Sequence, residues 1–355
     1  MRTRPTNTTD KIPHILFDGR WIQPNKPDGI TRYSTELIKA LLKKGALVSV
    51  AVWDAGQVEG LNVDTLVVLP KPNSLVASRR ALKKTLKKGD YDLYFCPHFL
   101  QILPSTDVPT VLTCHDLTPW KFPASGSSMA WRIIHKNLLG LKFLLKRAKF
   151  VATVSKTSKK EIEGLLPDSD IRVVYNGISA DFYRIKPRPT KKQLVYIGRY
   201  ETYKNVETLI SAVKDLPDYQ LICIGAISDS VKFALAADRV KFVGPVDDVQ
   251  YKQILSESHA LVMPSRAEGF GLPVVEAMAA GLPVVCSDLP VFHEIGGNSL
   301  LYVPSDDVAG YVSAVRELER NASRKKKSQE ARVSSKRFSW DKSADVLLGL
   351  CTMDK

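Results

Sequence analysis

Short runs of β-branched and aliphatic residues alternate along the chain with longer segments of helical period. Segments with an apolar residue every three or four positions include Tyr33–Lys44, Glu207–Lys214 and Pro273–Ala280. This alternation predicts parallel sheets that are covered by helices on both faces. The runs that have the length and composition of buried strands are Ile15–Phe17, Val48–Val52, Leu93–Cys96, Thr110–Cys114, Phe150–Val154, Ile171–Val174, Leu194–Ile197, Leu221–Gly225, Val240–Val243, Ala260–Met263, Val284–Cys286 and Leu300–Val303.

A proline-rich, basic stretch, Pro187-Arg188-Pro189-Thr190, divides the strands into two series. Proline resists continuation of either a helix or a sheet, so this stretch is the predicted linker. We therefore expect two doubly wound α/β domains, residues 1–186 and 187–335, which face each other across a cleft. The length of 355 residues agrees with two domains. In such sheets ligands bind at the carboxyl ends of the strands, so functional residues are expected on the loops that follow strands.

The loop before the helix Pro273–Ala280 carries the most informative motif. Glu268 precedes Gly269-Phe270-Gly271-Leu272, and Glu276 lies near the first turn of the helix, which Gly281 ends. The glycines let the backbone approach a ligand closely, and the free N–H groups at the helix start suit a phosphate. A carboxylate beside such an anion site indicates bound hydroxyl groups, as in a sugar or ribose. The alternative is a glycine-rich turn in which Glu276 interacts with the helix dipole.

Glu268 and Glu276, with Gly-Phe-Gly-Leu-Pro between them, resemble the E-x7-E signature of retaining glycosyltransferases of family 4. Members of that family have the GT-B fold and transfer sugars from nucleotide diphosphate donors. The resemblance covers nearly the whole chain and implies that Glu268 holds hydroxyls of the donor sugar and Glu276 those of the ribose. Residues 336–355 resemble the closing helix of the family, which crosses back onto the first domain. The positions that the resemblance adds to the donor site are Ser265, Phe270, Gly271 and Leu272.

Arg199 and Lys204 follow the strand Leu194–Ile197. An Arg fork and a Lys point charge on one loop can clamp a diphosphate, whereas a solvated surface pair is the plain alternative. The family places an Arg and a Lys with this spacing on the phosphates of the donor, so the resemblance implies that role here. The nucleotide base is expected near Val246.

His115 and Asp116 follow a strand of the first domain. A single histidine among apolar residues is more often structural, but this one lies at the carboxyl end of a strand, where a cleft residue belongs. In the family the matching His contacts the donor sugar near its anomeric centre, and Asp116 would orient the ring or hold an acceptor hydroxyl. His98 also follows a strand, and both acceptor contact and loop packing are compatible with its position.

Asp28 and Gly29 precede the first long helix. Relatives often have two adjacent glycines here, which bring backbone amides to the donor phosphate, whereas this chain has only Gly29. Arg32 and Tyr33 resemble residues of polysaccharide-building members of the family, and we expect them to contact the acceptor. Capping of the helix by Asp28 is compatible with these roles.

Two further patterns bear on metals and redox chemistry. Asp168-Ser169-Asp170 matches the Asp-x-Asp motif of metal-binding sugar transferases, but it follows Pro167 and precedes a strand, which is typical of an exposed turn. We therefore expect no metal and no other cofactor, with Arg199, Lys204 and a helix N-terminus stabilising the leaving group. The five cysteines are far apart and mostly lie in apolar runs, so they are predicted to be reduced and buried.

The excess of positive over negative charge lies in the first half of the chain. There are 51 Lys and Arg against 37 Asp and Glu, but residues 191–355 have 21 of each, so the excess of +14 lies in residues 1–190. Two segments concentrate it, Arg79–Lys88 and Trp131–Lys149. The second has apolar residues at helical spacing between its cations, as in a helix that lies on anionic membrane or in a core-facing helix with a basic outer face. Zinc spacings and recognition motifs for nucleic acid are missing from the sequence, so nucleic acid is not an expected partner.

The chain has no apolar stretch of about 18 residues and no secretory signal at its beginning, so it is expected in the cytoplasm, peripherally on the inner face of the membrane. The expected activity is retaining, metal-independent transfer of a hexose in cell-surface polysaccharide assembly. The preferred donor is GDP-mannose, and the acceptor is a saccharide or a polyprenyl-diphosphate-linked saccharide. A non-hydrolysing nucleotide-sugar epimerase and an inactive sugar-nucleotide- or lipid-binding protein are the alternatives. A dehydrogenase is excluded because no Gly-x-Gly-x-x-Gly follows the first strand of either half.

Overall fold

The computed structural model describes residues 11–24, 28–71, 75–99, 103–122, 138–189 and 191–353. Its first half is a parallel sheet with helices packed against it. The strands are β1 His14–Asp18, β2 Leu47–Val52, β3 Thr65–Val68, β4 Leu93–Cys96, β5 Thr110–Thr113, β6 Phe150–Thr153 and β7 Asp170–Val173. The described helices are α1 Gly29–Lys43, α2 Leu75–Lys88, α3 Thr118–Lys121, α4 Leu138–Leu145 and α5 Lys156–Leu165. The strand order is β3-β2-β1-β4-β5-β6-β7.

The second half repeats this architecture. Its strands are β8 Gln193–Ile197, β9 Gln220–Ile224, β10 Val240–Gly244, β11 Ala260–Met263, β12 Val284–Ser287 and β13 Leu301–Val303, in the order β10-β9-β8-β11-β12-β13. Its helices are α6 Val206–Lys214, α7 Asp229–Ala234, α8 Asp248–Glu257, α9 Leu272–Ala280, α10 Pro290–Gly296, α11 Val308–Glu317, α12 Asn321–Ser335 and α13 Trp340–Leu350. All pairs in both sheets are parallel, as predicted.

Each strand predicted from the sequence is present, and its ends agree to within one residue. One strand, β3, was not predicted. Three of its four residues are exposed or nearly so, and it lies at the edge of the first sheet next to β2. An edge strand that buries little side-chain area leaves a weak hydrophobic signal, which explains the omission.

The strand order reverses once in each sheet, between β1 and β4 and between β8 and β11. Such switch points open a crevice at the carboxyl ends of the two strands, and ligands of doubly wound sheets bind there. The predicted boundary at residues 186–187 falls in the connection between β7 and β8.

The helix α13 crosses back from the second half to the first, as expected. It packs on α1, where Lys43 Nζ lies 2.6 Å from Asp341 Oδ2 and Lys44 Nζ lies 2.6 Å from Asp345 Oδ1. The ring of Trp340 lies 5.9 Å from that of Tyr33. The first residue of α13 therefore reaches the core of the first domain.

Three other expectations can be compared with the fold. Asp168 and Ser169 form a turn, and Asp170 begins β7 at the end of the sheet away from the cleft, where it pairs with Arg172. The five cysteines are buried and none of them forms a disulfide. Within the described ranges, no helix combines the length and the apolar character needed to cross a membrane.

Candidate active site

Lys204 and Glu268 meet at the switch point of the second sheet. Lys204 follows β8 in a 3₁₀ turn, Glu268 follows β11, and Lys204 Nζ lies 2.7 Å from Glu268 Oε1. Ser265 Oγ, 0% exposed, donates to the same carboxylate oxygen at 2.7 Å. Burial alone would lower the pKa of Lys204, but the Glu268 carboxylate outweighs it and holds the pKa above its usual value. The sequence placed both charges in the donor site, and the structure brings them into contact.

A network that the sequence did not reveal fixes the two loops. The guanidinium of Arg266 pairs with Asp306 at 2.5 Å, and its Nη1 donates to the carbonyl of Thr202. The amide of Asn205 donates to the carbonyls of Pro264 and Ser305, at 3.2 and 2.7 Å. These bonds tie the loops after β8, β11 and β13 together, so the positions of Lys204 and Glu268 depend on all three. The only signal in the sequence was the place of Arg266, two residues before the glutamate motif.

Arg199 lies in the same loop as Lys204 but is held differently. Its side chain is 72% exposed, and Nε lies 3.1 Å from Glu201 Oε1 while Nη2 donates to the Tyr203 hydroxyl at 3.4 Å. The guanidinium keeps further N–H donors for an anion, because a guanidinium has five. The ring of Tyr203 in turn lies 5.7 Å from that of Phe122, which belongs to the first half.

The loop after Glu268 leads into α9 through a left-handed glycine. Gly271 has a φ of 93°, and a Cβ there would lie 2.8 Å from the ring of Phe292, so the position requires glycine. The amides that follow begin α9, at partly buried Leu272. Phe270 needs a correction, because its side chain is 4% exposed and packs on Tyr175 and Phe338 instead of facing the cleft. Ser265 is also buried, and its hydroxyl donates to Glu268.

Glu276 is 3% exposed and its two oxygens have different partners. Oε2 accepts a hydrogen bond of 2.6 Å from the Tyr251 hydroxyl on α8, and Oε1 lies 2.5 Å from Nη1 of Arg32, which belongs to the first half. Burial raises the pKa of Glu276, and the Arg32 charge works against that rise. The sequence predicted neither of these two partners of Glu276. Arg32 was expected to contact the acceptor, and Tyr251 lies 25 residues before Glu276, outside the motif.

His115 lies at the end of β5, where its Nε2 is 2.9 Å from the carbonyl oxygen of Pro97. A carbonyl only accepts, so Nε2 carries the proton and the neutral imidazole keeps its lone pair on Nδ1. Burial lowers the pKa of His115, with a partial opposite effect of the Pro97 carbonyl and of Asp116 and Asp28. The imidazole is therefore uncharged at neutral pH.

Asp116 meets the glycine-rich loop across the cleft. A Cβ added to Gly269 would lie 2.2 Å from Asp116 Oδ2, so the Gly269 backbone and this side chain are already in close contact. Asp116 Oδ1 accepts from the backbone N–H of Thr118, and the Ser158 hydroxyl donates to the carbonyl of Gly269 at 3.3 Å. The structure thus brings the His115–Asp116 pair next to the Glu268 loop.

The remaining predicted residues differ in their access to the cleft. Tyr33 is 0% exposed and packs on the rings of Phe95, His115 and Trp340. The prediction that Tyr33 contacts the acceptor is therefore corrected: its side chain lies in the core and supports the ring of His115. His98 is partly buried, and its ring stacks on Phe99 at 4.6 Å. Gly29 is the exposed first residue of α1 with open space around it, and Val246 lies partly buried after β10.

Glu294, which the sequence analysis did not identify, forms a further contact between the two halves, separate from the Glu276 pair. It lies on α10, and its carboxylate accepts from the backbone N–H groups of Lys156 and Thr157 at 2.7 and 2.9 Å. These are the first amides of α5 in the other domain, so Glu294 caps that helix from across the cleft. The Tyr175 hydroxyl donates to the same carboxylate at 2.9 Å.

Comparisons with known proteins identify the family of the chain. The family model described as Glycosyltransferase Family 4 matches residues 27–182, and that described as Glycosyl transferases group 1 matches residues 179–348. The O-antigen chain mannosyltransferase RfbU of Salmonella typhimurium is 33% identical over 253 residues, which are 67% of this chain and 68% of that protein. The O-antigen chain mannosyltransferase B of Escherichia coli is 28% identical over 358 residues, 88% of this chain and 93% of its own.

Among solved structures, Anabaena HepE in complex with UDP and glucose superposes with a TM-score of 0.71 at 20% sequence identity. The match covers 96% of this chain and 99% of that one, which confirms the predicted GT-B fold. With two contiguous family models, a relative above 30% identity and this fold, the chain belongs to the family 4 glycosyltransferases.

Proposed function

We propose that the protein is a retaining, metal-independent hexosyltransferase that moves mannose from GDP-mannose to a saccharide or polyprenyl-diphosphate-linked saccharide. The observation that carries the proposal is the meeting of Lys204 and Glu268 at a sheet switch point, with Arg199 on the same loop. The names of the two bacterial O-antigen mannosyltransferases support the choice of mannose and of cell-surface polysaccharide. The UDP and glucose bound to HepE support a nucleotide diphosphate sugar as the class of donor.

In this proposal the second domain holds the donor. Lys204 and Arg199 bind the diphosphate together with the amides that begin α9, and Glu268 takes the hydroxyls of the sugar. When the bond from the anomeric carbon to the diphosphate oxygen breaks, negative charge grows on the leaving group. Fixed positive charges and N–H groups stabilise that charge without a metal.

The first domain supplies the other side of the reaction. His115 contacts the sugar as positive charge develops at the anomeric carbon, and its neutral imidazole does not oppose that charge. Asp116, opposite Gly269, holds an acceptor hydroxyl. The acceptor oxygen attacks from the face that the diphosphate leaves, and its proton passes to a diphosphate oxygen, so the anomeric configuration is retained.

The first test is thermal unfolding of the purified protein with GDP, UDP, dTDP and ADP and their sugar conjugates, all in EDTA. A ligand that binds only the folded state raises the unfolding temperature. A rise with GDP and GDP-mannose in EDTA is expected, and the one-bond coupling between C1 and H1 of the transferred mannose then reports retention or inversion. A requirement for divalent metal, or an inverted product, would contradict the mechanism.

The two alternative functions, epimerase and inactive binding protein, predict different results when the protein is assayed with GDP-mannose. An epimerase converts the nucleotide sugar without an acceptor, so product from GDP-mannose alone would favour it. An inactive binding protein keeps its ligand affinity and shows no transfer with any saccharide. We expect neither result, because the cations and carboxylates for both donor phosphate and donor sugar are present and adjacent.

We further propose that the basic first domain docks on anionic membrane at the cytoplasmic face. On α4, Phe143 is 64% exposed, and exposed Lys146 and Arg147 lie beside it, with the Arg147 guanidinium 5.9 Å from the ring. An exposed aromatic ring among cations suits the headgroup layer of a bilayer. The helix α2 adds further exposed cations, Arg79, Arg80, Lys83, Lys84, Lys87 and Lys88. Residues 131–137 of the predicted basic segment lie outside the described residues.

Flotation with vesicles tests this docking. Salt-sensitive binding to vesicles with phosphatidylglycerol, and little binding to pure phosphatidylcholine, is the expected result. Phe143→Asp and the double change Lys146→Glu/Arg147→Glu should each reduce flotation. The matched control is Lys232→Glu on α7 of the neutral second domain. Flotation that none of these variants changes, or that salt does not affect, would count against the proposal.

A further inference from the structure

The carboxylate expected to bind the ribose has its charge partner in the opposite domain. Glu276 lies on α9 of the second half, and Arg32 lies in the first turns of α1 in the first half, yet Nη1 and Oε1 are 2.5 Å apart. The Glu276 side chain is 4% exposed and that of Arg32 is 32% exposed. The pair is thus buried at the carboxylate end and reaches solvent only at the guanidinium end.

Arg32 is held in this place by its surroundings. Asp28 caps α1 through a bond from the N–H of Thr31 at 2.8 Å, which fixes the start of the helix. The Arg32 guanidinium lies 5.3 Å from the centre of the Phe182 ring, in the connection between the domains. Phe182 in turn packs edge-on against Tyr251, the other partner of Glu276, at 5.9 Å. A cation, a carboxylate and two aromatic rings from four segments therefore form one cluster.

The chemistry of the carboxylate leaves room for a ligand. Two carboxylate oxygens offer about four acceptor positions, and Arg32 and Tyr251 use one each. The remaining positions can accept from vicinal hydroxyls, as a ribose presents them. An unpaired carboxylate with this burial would be costly and would tend to take up a proton, which would remove acceptor capacity.

We propose that Arg32 is a positioning residue for the nucleotide: it reaches across the cleft to hold Glu276 charged and oriented for the ribose. The inference rests on the proposed function, and it moves Arg32 from the acceptor side to the donor side. A site on the second domain is then complete only while the first domain is seated against it. By linkage, nucleotide binding and closure of the cleft favour each other.

The experiment measures nucleotide affinity by calorimetry with GDP, 2′-deoxy-GDP and 3′-deoxy-GDP, and with UDP and its deoxy forms in parallel. The proteins are the wild type, Arg32→Ala, Arg32→Lys and Glu276→Gln. A hydrogen bond to a charged group contributes about 1.5–3 kcal/mol, so the wild type should prefer a ribonucleotide by roughly 10- to 100-fold over one deoxy form. Arg32→Ala and Glu276→Gln should both reduce that preference to about threefold or less, and Arg32→Lys should keep part of it.

Lys39→Ala is the matched control, because Lys39 lies on the same helix in an exposed pair with Glu36 and away from the cluster. It should keep the wild-type preference. The ratio of ribo- to deoxynucleotide affinity is insensitive to a general loss of folded protein, and Arg32→Lys covers the case in which Arg32→Ala is unstable.

Three results would overturn the inference. Arg32→Ala could keep the preference, it could bind GDP more tightly than the wild type, or the wild type could bind ribo- and deoxynucleotides equally. In each of these cases nucleotide still binds, so the proposed function stands. Failure of the wild type to bind any of the nucleotides would remove the proposed function and this inference together.

Discussion

Lys204 and Glu268 are 64 positions apart in the chain, and their charged groups are 2.7 Å apart at the reversal of the second sheet. In the proposed function a donor exchanges this ion pair for its own contacts, with phosphate against Lys204 and hydroxyls against Glu268. The two residues therefore act as a unit, and changes at both sites should not add.

We predict that Lys204→Met lowers kcat by about 10²–10³-fold, because a fixed positive charge opposite the leaving group is lost. Glu268→Gln should cause a loss of similar size, and the double variant should lose much less than the product of the two. Initial rates with GDP-mannose and acceptor measure this. Lys192→Met is the control, since Lys192 is a half-exposed lysine paired with Asp218 on the surface. Full additivity would show that the pair does not share one task.

Gly269→Ala should loosen the contact between the domains. The new Cβ would lie 2.2 Å from Asp116 Oδ2 and 2.8 Å from Asp116 Cβ, and such overpacking costs about 1–3 kcal/mol. Denaturant unfolding measures the loss. Gly164→Ala is the control, because a Cβ at that position in α5 meets nothing within 4 Å and should stabilise by about 0.5–1 kcal/mol.

The clash also predicts a rescue. Asp116→Gly removes the atoms that the new methyl group would meet. The double variant Asp116→Gly/Gly269→Ala should therefore lose less unfolding free energy than the two single variants lose in sum. Equal stability of Gly269→Ala and wild type would show that the two loops do not touch in solution.

Glu294→Ala should destabilise the protein by roughly 1–3 kcal/mol, because it leaves the first amides of α5 and the Tyr175 hydroxyl without their acceptor. Glu294→Gln keeps an acceptor oxygen but loses the charge and should fall between. Thermal or urea unfolding checks this. The control is Glu163→Ala on α5, whose half-exposed pair with Lys159 should contribute little. A loss at Glu163 as large as that at Glu294 would argue against the cap.

The partly buried His115, whose pKa is lowered by burial, predicts a pH dependence of stability. Its pKa in the folded state lies below the ordinary 6.5, so between these two values the unfolded chain binds more protons than the folded one. The free energy of unfolding should therefore fall as the pH drops below about 6.5. The charges that face the ring, Asp116 and Asp28, reduce the effect and do not reverse it.

His115→Gln should flatten this fall while Gln keeps a donor for the Pro97 carbonyl. Urea unfolding of both proteins between pH 5 and 8 gives the difference. His259, whose pKa is also lowered by burial, is present in both and cancels. Parallel curves for the two proteins would show that the pKa of His115 does not fall on folding.

Much of this architecture could be predicted because it depends on local signals. Buried parallel strands appear as apolar runs, and residues after adjacent strands share one edge of a sheet, so the approach of Lys204 and Glu268 followed from topology. Contacts between side chains of distant segments had no such signal. Tyr251 and Glu294 lie on helix faces whose neighbours depend on how the two domains pack. The hydrophobic periodicity within a segment carries no information about that packing.

The corrections have the same origin. Tyr33 and Phe270 lie inside motifs with functional neighbours, but their side chains point into the core. On a helix or a tight loop, adjacent residues face different directions, so membership of a motif does not decide which side chain meets a ligand.

The return of α13 to the first domain has a consequence for synthesis of the chain. Trp340 fills space against Tyr33, and a Cβ at Gly177 would lie 2.2 Å from the Trp340 nitrogen, so the surface of the first domain is shaped around a segment translated after both sheets. On the ribosome the first domain emerges first but lacks this part of its packing until α13 has emerged. The domain made first is thus the one completed last, and a truncated nascent chain would expose the apolar face of α1 that α13 covers.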